Sequence, residues 1–402
     1  MESKSASAPS LDRPVAILTS FVYFVQGAIG LSGVALPLLL RQKGWSVSQI
    51  STFAFITGLP WTLKLFYGAL TDGLPLWGKR RQPYVILSSL ISVGSWLGFA
   101  FFHRDTFLIY ALALAANLGF ALTDVVTDAL VVERSTEGNA QLYQSLSWGF
   151  RGAGAVLGGV VGGWLAENVA YRWIFALTAL LPITTLAAAL FIEESHMSHV
   201  ARGSSSIVEP VIRSLRALFR GDLKWFSGLL VVGSFSTAFS TPFFFHLKEG
   251  LRLNEAFLGS LSSITWLGAI AGCLFYGRFL KTVSLRRMLG WSVALNVLGT
   301  LSAYLIIGRV SAVVLSLAGG VVGYLSFLPL IAAAAFLARQ KGIEGSLFAL
   351  LMSVNNLGQL LSTYIGGKLF DIIGLNRLIG VSALVALTGF FFVKQMKVNL
   401  KN

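Results

Sequence analysis

Two aspartates stand four residues apart in ALTDVVTDALVVER, residues 121–134, directly after the almost wholly apolar FLIYALALAANLGF. At that spacing Asp124 and Asp128 share one face of a helix. A charge near the centre of a bilayer is costly unless it has a partner, water or a proton, so intramembrane carboxylates mark proton relays and substrate paths. The cations available inside apolar runs are Lys64, Arg151 and Lys368. With the rise of an α-helix, Asp124 lies about 13 Å above the end of its own helix near Glu133, Arg151 about 15 Å up the next helix, and Lys64 about 10 Å up an earlier one. These depths predict a buried Asp124–Arg151 pair with Lys64 beside it, a cluster of two acids and two bases. Lys368 falls near a helix end and is expected to reach for the interface. A carboxylate that alternately meets water and a cation changes its affinity for a proton. An anionic substrate that takes Arg151 or Lys64 away from Asp124 or Asp128 would favour protonation there, linking anion and proton movement in one direction. The plainer alternative is a cluster that staples three helices and never meets a substrate.

Smaller expectations surround this cluster. Asn355, Asn356 and Gln359 on a later helix can supply amide hydrogen bonds to a substrate, or serve as helix–helix glue. Gln26 is a further candidate cavity residue, and Tyr143, Trp148 and Phe150 are candidates for stacking on a flat ring. Asp72, Arg81, Glu133 and Arg134 lie at helix ends and read as a conformational gate. Gly154, Gly158 and Gly162 form a small-residue face suited to close helix packing. The histidines His103, His196, His199 and His246 lie at helix ends or in loops, and none joins Cys273 in a metal-ligand spacing or a nucleophile–base arrangement. No catalytic residue, metal or cofactor is called for.

The elements that must hold these groups are membrane helices. The 402 residues are 55% hydrophobic and 12% charged, with a mean hydropathy of +0.74. A soluble domain carries about twice that share of charge. Apolar runs of about 20 residues recur, long enough to cross a bilayer and too continuous for barrel strands. We read twelve spans, near 14–40, 46–70, 83–102, 106–132, 141–166, 172–192, 224–246, 254–280, 287–307, 311–338, 345–370 and 376–396. With the N-terminus in the cytoplasm, about 20 of the 31 Lys and Arg residues fall on the inner side and about 8 on the outer. Both termini are therefore expected to be cytoplasmic. The formal charge of +14 is spread over short loops, which argues for topology and against nucleic-acid binding. The expected organisation is a tail (1–13), a six-helix bundle (14–192), a basic linker (193–223) with an amphipathic surface segment near 207–220, a second bundle (224–396) and a short tail (397–402). The N-terminal MESKSASAPSLDRP has no apolar core and is no secretory signal.

The halves look duplicated. LFYG occurs at 65–68 and 274–277, each followed by a basic loop, KRR at 79–81 and LRR at 285–287. EGNAQLYQSLSWGFRGAG…GGWLAE from Glu137 resembles EGSLFALLMSVNNLGQ…GGKLFD from Glu344, and at the 204-residue offset of the paired glycines Asn355 falls opposite Arg151. Offsets of 204 to 209 residues, about half the chain, suggest two parallel six-helix repeats with a substrate site between them at mid-membrane. GALTDGLPLWGKRR, 68–81, resembles the loop motif of the major facilitator superfamily, except that Gly78 follows Asp72 by six residues where that pattern has about three. Together KLFYGALTDGLPLWGKRRQPY, LTDVVTDALVVER, LYQSLSWGFRGAG and IEGSLFALLMSVNNLG resemble the folate–biopterin transporter family. That resemblance implies an all-α twelve-helix facilitator fold, working as a monomer in the bilayer, and import of folates or pterins coupled to protons through alternating access. A carboxylate of the cluster would then be free to hold the amino and ring N–H donors of a pterin. The rival readings are a facilitator for another organic anion, such as a nucleotide derivative or muropeptide, a membrane enzyme, and a non-transporting receptor. The paired aspartates come with basic partners, which argues against the enzyme.

Overall fold

The computed structural model describes residues 11–103, 105–136, 139–194, 208–279, 283–340 and 343–397. The expected tails and linker, with His196 and His199, lie partly or wholly outside these. Apart from an isolated bridge between Leu76 and Lys79, the described residues are helical or irregular. The long helices are α1 (Arg13–Gln42), α2 (Val47–Gly73), α3 (Gln82–Phe102), α4 (Thr106–Arg134), α5 (Ala140–Asn168) and α6 (Tyr171–Ala189). The shorter α7 (Val208–Leu218) follows, then α8 (Gly221–Gly250), α9 (Glu255–Phe279), α10 (Leu285–Leu305), α11 (Arg309–Leu337) and α12 (Glu344–Gln395). Caps fix several starts: Asp105 Oδ1 accepts from the Leu108 N–H at 2.8 Å to open α4, and Ser46 and Gln49 form a reciprocal capping box that opens α2.

Ten stretches among the described residues are long and apolar enough to cross a membrane. Two features separate this number from the expected twelve. The helix α5 falls outside the ten; its Arg, Gln and many glycines dilute its hydropathy. The 52 residues of α12 form one stretch, although its backbone breaks at Gly374, where φ is +72°. Such a conformation suits glycine, and it separates the expected span near 345–370 from that near 376–396.

Within the first half, α3 packs against α4 and α6, and α1 lies along α5. Its core has two parts. One centres on Phe99, Ile109 and Phe175, the other on Leu18, Val126, Leu130 and Tyr143. In the second half Phe226, Leu229, Leu289, Leu347 and Leu351 form the largest core. The halves meet along two seams, α5 with α9 and α2 with α12.

The first seam is built from glycine. Lipid tails are as apolar as leucine, so helices in a membrane associate through close packing of small residues. A Cβ on Gly27 would sit 2.1 Å from the Arg151 carbonyl oxygen, and one on Gly154 2.1 Å from that of Phe24. The expected Gly154, Gly158 and Gly162 face thus seats α5 against α1. A second face, Gly159 and Gly163, meets Gly259 of α9, where a Cβ would lie 2.2 Å from the Gly159 carbonyl oxygen. The helix α5 is therefore wedged, nearly backbone to backbone, between α1 and α9.

Candidate functional site

The charge cluster forms where α1, α2, α4 and α5 converge, with a different wiring from the one expected. Lys64 Nζ donates to Asp124 Oδ2 at 2.5 Å. Asp124, only 3% exposed, accepts a second bond from Gln26 Nε2 at 2.7 Å. The carbonyl of the same Gln26 accepts from Arg151 Nη1 at 3.1 Å. The direct Asp124–Arg151 pair is not formed: Gln26 lies between and carries the link through its amide. Matching depth along two helix axes does not fix which way the side chains point, and the close α1–α5 contact places Gln26 in the gap. Asp128, one turn on, accepts from the Tyr23 hydroxyl at 2.7 Å. Tyr23 was missed from the sequence. It precedes Gln26 by three residues on one face of α1, which was the signal available.

The local backbone explains how Lys64 reaches the cluster. Gly58 precedes, and Pro60 lies within, a tightened turn, Leu59–Thr62, in the middle of α2. It presents Lys64 at the start of the following segment, with Nζ 5.2 Å above the Trp61 ring. Trp61 Nε1 donates to Asn117 at 2.9 Å, and its carbonyl accepts from Asn356 Nδ2 of the second half at 3.0 Å. Asn356 is thus joined to the cluster's scaffold. Asn355 is buried within the second half, and Lys368 is exposed, with Nζ 5.9 Å over Tyr364.

Arg151 faces the second half. Its Nε has no hydrogen-bond partner, and its guanidinium lies 5.5 Å over Trp148. Trp148 meets Tyr324 edge-on at 6.3 Å, and Tyr324 meets Trp266 at 5.7 Å. Trp266, Tyr324, Phe327 and Gln359 line a pocket of about 280 Å³ between α9 and α11. Trp266, Tyr324 and Phe327 also went unnoticed from the sequence, because aromatics are too common in apolar helices to stand out. Of the expected ring-stacking residues, Trp148 is beside this pocket. Tyr143 is instead core, with its hydroxyl at the Asp12 backbone, and Phe150 is exposed.

A larger cavity of about 770 Å³ opens between the halves at the basic end of the molecule, reaching Lys64 and Asp128. Asp72, Arg81 and Glu133 line its rim. Arg81, 5% exposed, donates to Asp72 at 2.5 Å and to Glu133 at 2.6 Å through Nη2, and to Thr71 through Nη1. Burial works against the Arg81 charge, and the carboxylates of Glu133 and Asp72 more than offset it, so its pKa is raised. The unusual spacing of the 68–81 loop has a physical purpose here. Trp77 and Gly78 have φ of +51° and +76°, and Leu76 and Lys79 exchange two backbone bonds of 2.9 Å. This is a mirror-image tight turn, and it doubles the chain back so that Arg81 reaches Asp72. Glu194 accepts the backbone N–H groups of Arg80, Arg81 and Gln82, closing the start of α3. Arg134 stands apart, bonded to Asp12 and the Glu193 carbonyl. All of these rim bonds stay on the first-half side of the cavity.

The opposite end is bridged. Arg41 binds Glu249 through two bonds of 2.7 and 3.0 Å, and Glu167 accepts from Asn254 and the Ala256 N–H at 3.1 Å. All of these join the first half to the second.

Two helical halves around a central charged site, with a cavity between them at one end, have the architecture of the major facilitator fold. The chain's solved structural neighbours have that fold. A POT family transporter in complex with 5-aminolevulinic acid superposes with a TM-score of 0.77 at 13% identity over 96% of this chain and 97% of its own. A D-xylose-proton symporter does so with a TM-score of 0.71 at 13% identity over the same shares. Residues 26–388 match the BT1 family, and the chain belongs to it. It is 31% identical to a folate-biopterin transporter of Synechocystis over 92% of this chain and 77% of that protein. It is 27% identical to probable folate-biopterin transporter 4 of Arabidopsis thaliana over 89% of each. The protein is a multi-pass integral membrane transporter and not an enzyme.

Proposed function

We propose that the protein imports folates or pterins by proton symport, through alternating access of a central site. The observation that carries this reading is the relay Lys64–Asp124–Gln26–Arg151, which ends at an unpaired guanidinium nitrogen beside an aromatic pocket. Trp266, Tyr324 and Trp148 offer π faces to a bicyclic ring, and Gln359 offers an amide to its edge. Arg151 takes the substrate's anionic group. Engagement of Arg151 loosens its hold on Gln26, and so alters the bonding of Asp124 through a single amide. Asp124 carries the coupling proton, and Asp128, at the wide cavity, passes it to water.

In this reading there are twelve crossings in two six-helix halves, 14–192 and 224–396, and the protein acts as a monomer. The basic end and both termini lie in the cytoplasm, following the charge bias. The conformation is then inward-open, with Arg41–Glu249 and the glycine seam closing the outside. Asp72, Arg81, Glu133 and Arg134 set the shape of the inner rim.

The test is uptake into proteoliposomes of folic acid, 5-formyltetrahydrofolate and biopterin, with and without an imposed pH gradient. We expect uptake of at least one, accelerated by an acidic exterior. A competent preparation that takes up none of them would overturn the substrate class. Uptake indifferent to the gradient would overturn the coupling alone.

A further inference from the structure

A third cavity, of about 740 Å³, lies at the basic end between α7, the start of α8 and the end of α11. Arg213, Arg216, Arg220 and Arg339 line it, and Asp222 is the one carboxylate among its lining residues. Arg216, Arg220 and Arg339 have no ion pair among the described residues. The α8 helix begins there at Gly221 without a side-chain cap, so backbone N–H groups add to the positive field.

The α7 segment has three faces. At 100° per residue, Ser214, Ala217 and Leu218 point one way and are buried against the second-half core. Arg213 and Arg216, with Arg220 just beyond the helix, fall together on another. Ile212 and Leu215, with Phe219, fall on the third and are exposed, Phe219 by 76%. An apolar stripe beside a basic cluster, on a helix fixed at the end of a membrane bundle, is the geometry of an interfacial helix. Basic pockets at this level suit anionic headgroups.

We propose that this cavity is a binding site for the headgroup of an anionic phospholipid. The phosphate lies among Arg216, Arg220 and Arg339, and the acyl chains run along Ile212, Leu215 and Phe219. The apolar stripe is the reason to choose a lipid over a free phosphate, which would leave those side chains in water. The site does not depend on the identity of the substrate. Val211 of α7 lines the mouth of the central cavity and Ile343 lines both cavities, so a bound lipid buttresses that mouth.

The experiment is thermal unfolding of the full chain in detergent with phosphatidylglycerol, phosphatidylcholine or inorganic phosphate. Phosphatidylglycerol should raise Tm by a few degrees, with no rise from the other two. The Arg216→Gln/Arg220→Gln/Arg339→Gln variant should lose the rise and keep its lipid-free Tm. An equal rise in that variant, or from inorganic phosphate alone, would overturn the proposal. Should the variant not fold, native mass spectrometry of the unmodified chain decides: retention of phosphatidylglycerol over phosphatidylcholine supports the site, and equal retention refutes it.

Discussion

At the scale of single residues, Asp124 is a buried carboxylate held by one cation and one amide. Removing the cation by Lys64→Met leaves that charge uncompensated and should cost about 3–5 kcal/mol. The double variant Lys64→Met/Asp124→Leu should recover most of this, read as Tm in detergent. A double variant no more stable than the single would show that the pair does not act through its charge. Gln26 is the more diagnostic position for mechanism. Gln26→Leu removes two bonds to charged groups, each contributing about 1.5–3 kcal/mol, and leaves the Lys64–Asp124 pair in place. We expect gradient-driven accumulation to fall at least about tenfold, with a Tm loss comparable to that of Lys64→Met. Unchanged coupling would mean that Asp124 and Arg151 do not communicate through this amide. In the aromatic pocket, Trp266→Ala should raise KM roughly two- to tenfold, the worth of one lost ring contact, in labelled-substrate uptake.

At the scale of helices, the sequence was legible along each axis and illegible around it. Depth follows from counting residues at a known rise, so Asp124 and Arg151 were expected at matching depth with Lys64 a little lower, and bonds through Lys64 and Gln26 do link them. Azimuth depends on how α1, α2, α4 and α5 are turned toward one another, and no residue count supplies that. Hence Gln26 proved to be the bridge, and Tyr23 the partner of Asp128. The Gly154, Gly158 and Gly162 face was readable because glycines at a spacing of four have few other uses in a membrane helix. Gly159 and Gly163 belong to the same run, yet nothing in one sequence told that α9 would seat on them. Gly154→Leu and Gly259→Leu both drive a side chain into a neighbour's backbone. Each should exceed the roughly 1–3 kcal/mol of ordinary overpacking, seen as lost monodisperse protein after extraction. Near-normal Tm in either would mean that the seams open by a full side-chain width.

For the whole molecule, the two ends are built on different logic. Arg41–Glu249 and Glu167–Asn254 tie the halves to each other, whereas the Arg81 network ties the first half to itself. Under alternating access the former must break. Arg41→Cys/Glu249→Cys, with Cys273→Ser, should be joined by a short bis-thiol reagent, abolishing uptake, and reduction of a cleavable linker should restore it. Uptake that continues while the ends are joined would show that this face never opens.

The wedged position of α5 has a mechanical consequence. Side chains that interlock as ridges and grooves resist sliding, because each step must lift one ridge over the next. A glycine face has no ridges. On both flanks α5 touches its neighbours largely through bare backbone, and the side-chain bonds that cross the seams are Arg151–Gln26 to α1 and Ser263 to the Val156 carbonyl from α9, so slipping or tilting asks for little more than the re-forming of these. If the halves rock as alternating access requires, such a face would serve as a plain bearing, and Arg151 would ride on it.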